Sequence, residues 1–139
     1  LMLEDEVEEL IVLDASQTFN SDLWRNNSGG RNTPDEGYLR WGLGNISKKW
    51  NEKLASSDEI GGTPVLITPE MVGKTIFVFT SIEVKKEGWK YTGIKNEPQQ
   101  KNWIDLIKGR GGIAGFASSV DEYRQIVKDY LRSLKDRSN

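Results

Sequence analysis

The chain has 139 residues, 36% of them hydrophobic and 13 of them aromatic, with a net charge of −2. That is one domain's worth of chain, long enough for a sizeable core. With no Cys and no His, disulfides, thiolate metal sites, Ser-His-Asp triads and His general bases are excluded, and a conventional zinc site lacks its ligands.

Any bound metal must therefore take carboxylate and carbonyl oxygens, which suits Mg²⁺ or Mn²⁺. The pI near 5.3 argues against an indiscriminate nucleic-acid binder. The charge is uneven, however. Residues 1–22 hold seven acids and no Lys or Arg, and the other 14 acids face all 19 bases. An acidic first segment thus precedes a mildly basic body. No apolar run approaches the roughly 20 residues that span a bilayer. The N-terminal stretch is acidic, unlike a signal peptide, so a cytoplasmic protein is expected.

In chain order, Leu3, Val7, Leu10 and Ile11 predict an amphipathic helix over residues 2–15, with Glu4, Val7, Glu8 and Ile11 on one face. Residues 18–26 read as a strand. Residues 27–37 read as a polar loop rich in Gly and turn formers, and residues 38–43 as a short strand. Residues 45–54 form a basic, partly helical connection. A turn over 56–62 opens onto the apolar run 65–67, and Thr68-Pro69 starts a single helical turn. A hairpin then leads into residues 75–86, the most apolar and β-prone stretch, expected as a central strand buried on both faces. Residues 87–96 form a polar loop with Trp89 and Tyr91. Pro98 begins a helix that continues over 99–108 until Gly109, Gly111 and Gly112 stop it. A strand of small residues, 113–117, suits a packed helix above it. Ser119 and Glu122 form a capping box for a last helix reaching Lys135. The order is αβββαβα around a mixed sheet in a single domain, residues 1–139.

The central strand ends in Glu83-Val84-Lys85. Alternation places Glu83 and Lys85 on one side. A solvated ion pair at a strand end is one reading. An Asp followed by a strand ending Glu-x-Lys is the other, and it is the bare pattern of the PD-(D/E)XK nucleases, here Asp58 with Glu83 and Lys85. Phosphodiester hydrolysis needs an activated water and neutralisation of charge on the phosphate. Two carboxylates holding a divalent cation, with a lysine beside the water, meet both needs without His or Cys.

Further motifs occur in order: Leu23-Trp24-Arg25-Asn26-Asn27, Gly42-Leu43-Gly44-Asn45-Ile46-Ser47-Lys48, Ser57-Asp58-Glu59-Ile60-Gly61-Gly62-Thr63-Pro64, Ile82-Glu83-Val84-Lys85, Gln100-Lys101-Asn102-Trp103-Ile104 and Gly111-Gly112-Ile113-Ala114. Across nearly the whole chain this resembles the stand-alone, phage-type VRR-NUC (virus-type replication-repair nuclease) branch of that superfamily. The resemblance implies a restriction-endonuclease-like core. It implies Asp58 and Glu83 as metal-binding carboxylates, the Val84 carbonyl as a further ligand, and Lys85 as the catalytic lysine. Gln100 would support Lys85 or the phosphate. Glu4 matches a first-helix glutamate ligand, with Glu8 its rival. Arg25, Asn26 and Asn27 resemble DNA-backbone contacts or else form a strand end and turn. Lys48, Lys49, Lys86, Lys90 and Lys95 are candidate phosphate contacts or ordinary surface lysines. Trp89 and Tyr91 stack on an unpaired base or pin their own loop. The chain departs from the family in lacking a Pro before Asp58, in carrying Glu59 where an apolar residue is usual, and in the length of the 86–96 loop.

The expected activity is Mg²⁺- or Mn²⁺-dependent endonucleolytic hydrolysis of branched DNA, including Holliday junctions, by a homodimer acting in phage or host replication and repair. Two other readings stand beside it. One is a nuclease-fold DNA-binding module without catalysis. The other is a small acidic α+β interaction protein whose Glu-x-Lys has no catalytic role.

Overall fold

The computed structural model describes residues 2–136 and divides into two compact units, Leu1–Val65 and Leu66–Asn139. Among the described residues there are four α-helices, six strands and one 3-10 turn, a mixed α/β composition. The strands form three two-stranded ladders where the sequence reading has one mixed sheet.

In the first unit, α1 (Glu4–Phe19) runs four residues past the expected end. It stops at Asn20, whose φ of 55° is left-handed, a conformation Asn tolerates. The Asn20 and Ser21 amides donate back to Ser16 and Ala15 carbonyls at 3.1 and 3.0 Å. The Ser21 hydroxyl then shares a 2.8 Å hydrogen bond with Thr63 Oγ1, which ties the helix end to the chain beyond β4. The strand β1 (Asp22–Arg25) pairs antiparallel with β4 (Glu59–Gly62), with Trp24 opposite Ile60 and Arg25 opposite Glu59. Gly61 permits this pairing: a Cβ there would run into the Asp22 carbonyl oxygen.

The strands β2 (Gly29–Thr33) and β3 (Gly37–Trp41) form an antiparallel hairpin. The sequence reading leaves residues 27–37 as loop, because Gly-Gly-Arg-Asn-Thr has no apolar alternation. Cross-strand rings supply the packing instead. A Cβ on Gly29 would stand 2.9 Å from the Trp41 ring, and one on Gly30 would stand 2.5 Å from the Tyr38 ring. Bare glycine under an aromatic cover makes a strand that propensity does not reveal. The connection that follows holds the short helix α2 (Lys48–Lys53), capped by Ser47 Oγ accepting from Trp50 N.

In the second unit the expected single turn is present as a 3-10 turn at Pro69–Met71. Residues 65–67 form no strand, and the expected hairpin into residues 75–86 is not formed among the described residues. The strand β5 covers only Thr80–Val84 and pairs in parallel with β6 (Ile113–Ala117). It is not buried on both faces: Phe77, upstream of the ladder, is fully exposed, and Val84 is 75% exposed. The reason lies in where the helices sit. The helices α3 (Glu97–Gly109) and α4 (Val120–Ser133) both pack chiefly on β6. The core therefore gathers Ile104, Ile107, Ile113, Ala114 and Ala117, each fully buried Ile contributing about 1.5–3 kcal/mol. Gly115 of β6 leaves room for Ile126 of α4, whose Cδ1 would be 2.7 Å from a Cβ there. Small residues beneath a helix are what the sequence predicts for 113–117. At the start of α4 the capping box is rearranged. Ser119 Oγ accepts from Glu122 N at 3.1 Å, while the Glu122 carboxylate takes the Ser118 hydroxyl.

Candidate functional site

The best-defined polar constellation is in the second unit, at the C-terminal end of β5. The ladder continues one residue further, with Lys85 N donating to Ala117 O at 2.9 Å. Glu83 and Lys85 therefore keep the strand alternation and stand on one side. Gln100, on the first turns of α3, joins them. Its Nε2 donates to Glu83 Oε1 at 2.9 Å, and its Oε1 accepts from Lys85 Nζ at 2.8 Å. Chemistry fixes that amide orientation, since a carboxylate only accepts and an ammonium only donates. Lys85 Nζ and Glu83 Oε1 remain 3.9 Å apart. Gln100 thus bridges acid and base, whose own ion pair is long.

Exposure separates the two charges. The Lys85 side chain is 17% exposed and that of Glu83 39%, so the base is held inward and the acid is the more open of the two. A cleft of about 270 Å³ opens beside Glu83, lined also by Asn96, Gln99, Gln100 and Trp103. In open α/β sheets the carboxyl ends of strands are where ligands bind.

The loop from Lys86 to Asn96 is organised by Glu97, a residue the sequence did not single out. The residue is only 7% exposed. Its carboxylate accepts from Thr92 N and Gly93 N at 3.0 Å each and from Trp89 Nε1 at 3.3 Å. The Thr92 amide, then the Gly93 amide, the Trp89 indole and the charge of Lys85, hold its pKa below the usual range against the opposing effect of burial. Trp89 packs on Phe116 with ring centroids 4.8 Å apart and meets Tyr91 edge-on at 6.3 Å. Of the two roles open to Trp89, these contacts favour pinning the loop. An acid next to a helix-starting Pro was the only sequence signal for Glu97, and it says nothing of burial.

In the first unit, Asp58 is exposed just before β4. Its carbonyl accepts from Asn26 N at 2.8 Å. Asn26 is engaged at both ends of its amide: Nδ2 donates to Ser56 Oγ and Ser57 O at 2.7 and 2.9 Å, and Oδ1 accepts from Leu43 N. It fastens the segment that presents Asp58. Glu59 carries a buried Oε2 that lacks a hydrogen-bond partner. Glu8 of α1 shares a side-chain hydrogen bond with the Glu59 carboxylate, and that bond, more than burial, raises the Glu8 pKa above its usual range. Asp58 adds repulsion and Arg25 opposes it. A cleft of about 460 Å³ is lined by Asp5, Glu8, Glu9, Arg25 and Glu59. Glu4 stands exposed at the helix start, so of the two first-helix glutamates the structure brings Glu8 beside Asp58 and Glu59.

The remaining expected contacts are all exposed: Arg25, Asn27, Lys48, Lys49, Lys86, Lys90 and Lys95. Asp58 belongs to one unit, and Glu83, Lys85 and Gln100 to the other. Among the described residues no three carboxylates form a metal-holding group. The donor chemistry nonetheless fits a hard cation. The chain has only oxygen ligands to offer, and the orphaned Glu59 Oε2 and the crowded Glu8 carboxyl are the kind of groups that positive charge relieves. No described helix is long and apolar enough to cross a membrane. No family model, curated protein or solved structure matches the chain.

Proposed function

We propose that the chain is a Mg²⁺- or Mn²⁺-dependent DNA endonuclease of the VRR-NUC type with a PD-(D/E)XK site. Branched DNA is its substrate and a homodimer its working form. The observation that supports this most is the hydrogen-bonded chain Glu83–Gln100–Lys85 at the end of β5. A decorative Glu-x-Lys would not recruit a glutamine from a separate helix to bridge its two charges.

The oxygen donors open to a cation are Glu83 and the Val84 carbonyl in the second unit, and Asp58 with Glu8, the rival of Glu4, in the first. Once bound, the cation lowers the pKa of its water and neutralises charge on the phosphate. The chain's own residues do the rest. Glu83 presents one carboxylate oxygen to Gln100 and keeps the other for ligation. Lys85 uses one of its three N–H groups on Gln100, and the others face a phosphate oxygen or the attacking water. Arg25, Asn27, Lys48, Lys49, Lys86 and Lys90 supply sequence-independent phosphate contacts.

Asp58→Ala and Lys85→Ala test this directly. Each is expected to lower cleavage of branched DNA by about 10²–10³-fold or more, with the circular dichroism spectrum and DNA binding retained. Full cleavage by either variant contradicts the assignment.

A further inference from the structure

Lys85 has four rotatable methylene bonds, and the hydrogen bond to Gln100 restrains only its tip. Two rings bear on that tip as well. Lys85 Nζ lies 5.3 Å from the Trp89 ring centroid and 5.7 Å from that of Phe116, both within cation–π range. The rings pack on each other, so they form one wall. Phe116 is part of β6, opposite Glu83 in the ladder, and has little freedom. Trp89 belongs to the 86–96 loop and would be free without an anchor. That anchor is Glu97, whose carboxylate takes the indole N–H and two loop amides. Burying a carboxylate is costly unless it is fully bonded, and here three donors from one loop meet it. The loop that connects the catalytic strand to the Gln100 helix is thereby folded so that its one Trp faces Lys85.

We propose that Trp89, anchored by Glu97, is a positioning residue for Lys85: with Phe116 it walls the ammonium against Gln100. The role rests on reading Lys85 as the catalytic lysine, and it goes beyond that reading by assigning the loop a function. It also predicts a separation. Loss of the Trp89 ring lowers kcat by about 10–100-fold, the effect of a small misplacement of a reacting group, and leaves KM for DNA unchanged.

The test combines cleavage with a direct view of the side chain. In protein labelled with ¹³C-lysine, the Lys85 Cε protons, assigned with Lys85→Arg, should resonate upfield of ordinary lysines because two rings face them. Trp89→Leu should lose most of that shift and lower kcat at constant KM. Trp89→Phe, which keeps a ring but loses the indole bond to Glu97, should fall between Trp89→Leu and the wild type in both shift and kcat. If Trp89→Leu loses the wild-type amide spectrum, Phe116→Leu replaces it with the same expectations. An ordinary Lys85 shift in the wild type overturns the proposal, as does a shift that survives Trp89→Leu. So does a shift lost with kcat unchanged, or a rise in KM alone, which would mark Trp89 as a DNA contact. A wild-type protein that cleaves no DNA sinks the nuclease reading instead. The positioning of Lys85 is then decided by the shifts alone, and their persistence in Trp89→Leu overturns it.

Discussion

Gln100 is the side chain that bridges Glu83 and Lys85. Gln100→Leu preserves bulk and removes both hydrogen bonds, so acid and base are free to close their 3.9 Å gap. We expect cleavage to fall about 10–100-fold, as for other residues that orient ligands from behind, with the melting temperature close to wild type. Single-turnover rates with four-way junction DNA check this. Glu59 gives a prediction of opposite sign for stability. The Glu8 pKa is raised by its neighbour Glu59, so the pair favours the folded state when Glu8 is protonated. That contribution is lost as pH rises through the folded pKa. Above that pKa the ionised Glu8 meets the Glu59 carboxylate and is repelled by it. Glu59→Gln should therefore raise the melting temperature most at alkaline pH in EDTA, and the gain should shrink as pH falls through the folded Glu8 value. Scanning calorimetry with and without Mg²⁺ measures both, and the wild type should gain more from Mg²⁺ than the variant. That Glu83 and Lys85 share one side of a strand end was legible from sequence, because alternation is a local rule; Gln100 was named only through the family resemblance. Glu97 and Phe116 were not legible, because a buried acid and a ring beside a lysine leave no local pattern.

The segment that presents Asp58 depends on β1 and β4 lying against each other at Gly61. Gly61→Ala puts a methyl group into the Asp22 carbonyl, and backbone cannot yield as a side-chain tip does. We expect a loss of roughly 2–3 kcal/mol, measured by urea unfolding, and with it loss of the local order around Asp58. The loop after β5 depends on charge instead. Glu97 is held below its usual pKa, so its contribution is present at neutral pH and lost as pH falls through the folded value. Thr92 and Gly93 amides should lose hydrogen-exchange protection over that acidic window, and Glu97→Gln should weaken it at every pH. Helices were legible as elements, since apolar spacing, Pro98 and the Ser119 cap are local signals. The strands were less so. β-Propensity placed a strand over 75–86, but β5 covers only residues 80–84, with one further backbone bond to β6 at each of Phe79 and Lys85. The hairpin at Gly29–Thr33 is hidden in the sequence because its packing comes from Tyr38 and Trp41 on the other strand.

For the whole chain, the mixed α/β class follows from alternating patterns, whereas strand pairing depends on partners remote in sequence. In the acidic first helix Glu8 is the residue that meets the Glu59 carboxylate, and Asp5 and Glu9 line the same cleft. Symmetric cutting of a four-way junction needs two active sites related by a two-fold axis. Sedimentation equilibrium should therefore give twice the 15.7 kDa of one chain. A strict monomer removes the dimer from the proposal without touching the chemistry. The central claim, metal-dependent cleavage of branched DNA, is tested by incubating the protein with linear, flap, fork and four-way junction DNA in Mg²⁺, Mn²⁺ or EDTA at one stated low salt concentration. Cleavage of the branched substrates in either metal, its absence in EDTA, and its loss in Asp58→Ala and Lys85→Ala are predicted. DNA bound but uncut in every metal, or cutting that persists in EDTA, would contradict it.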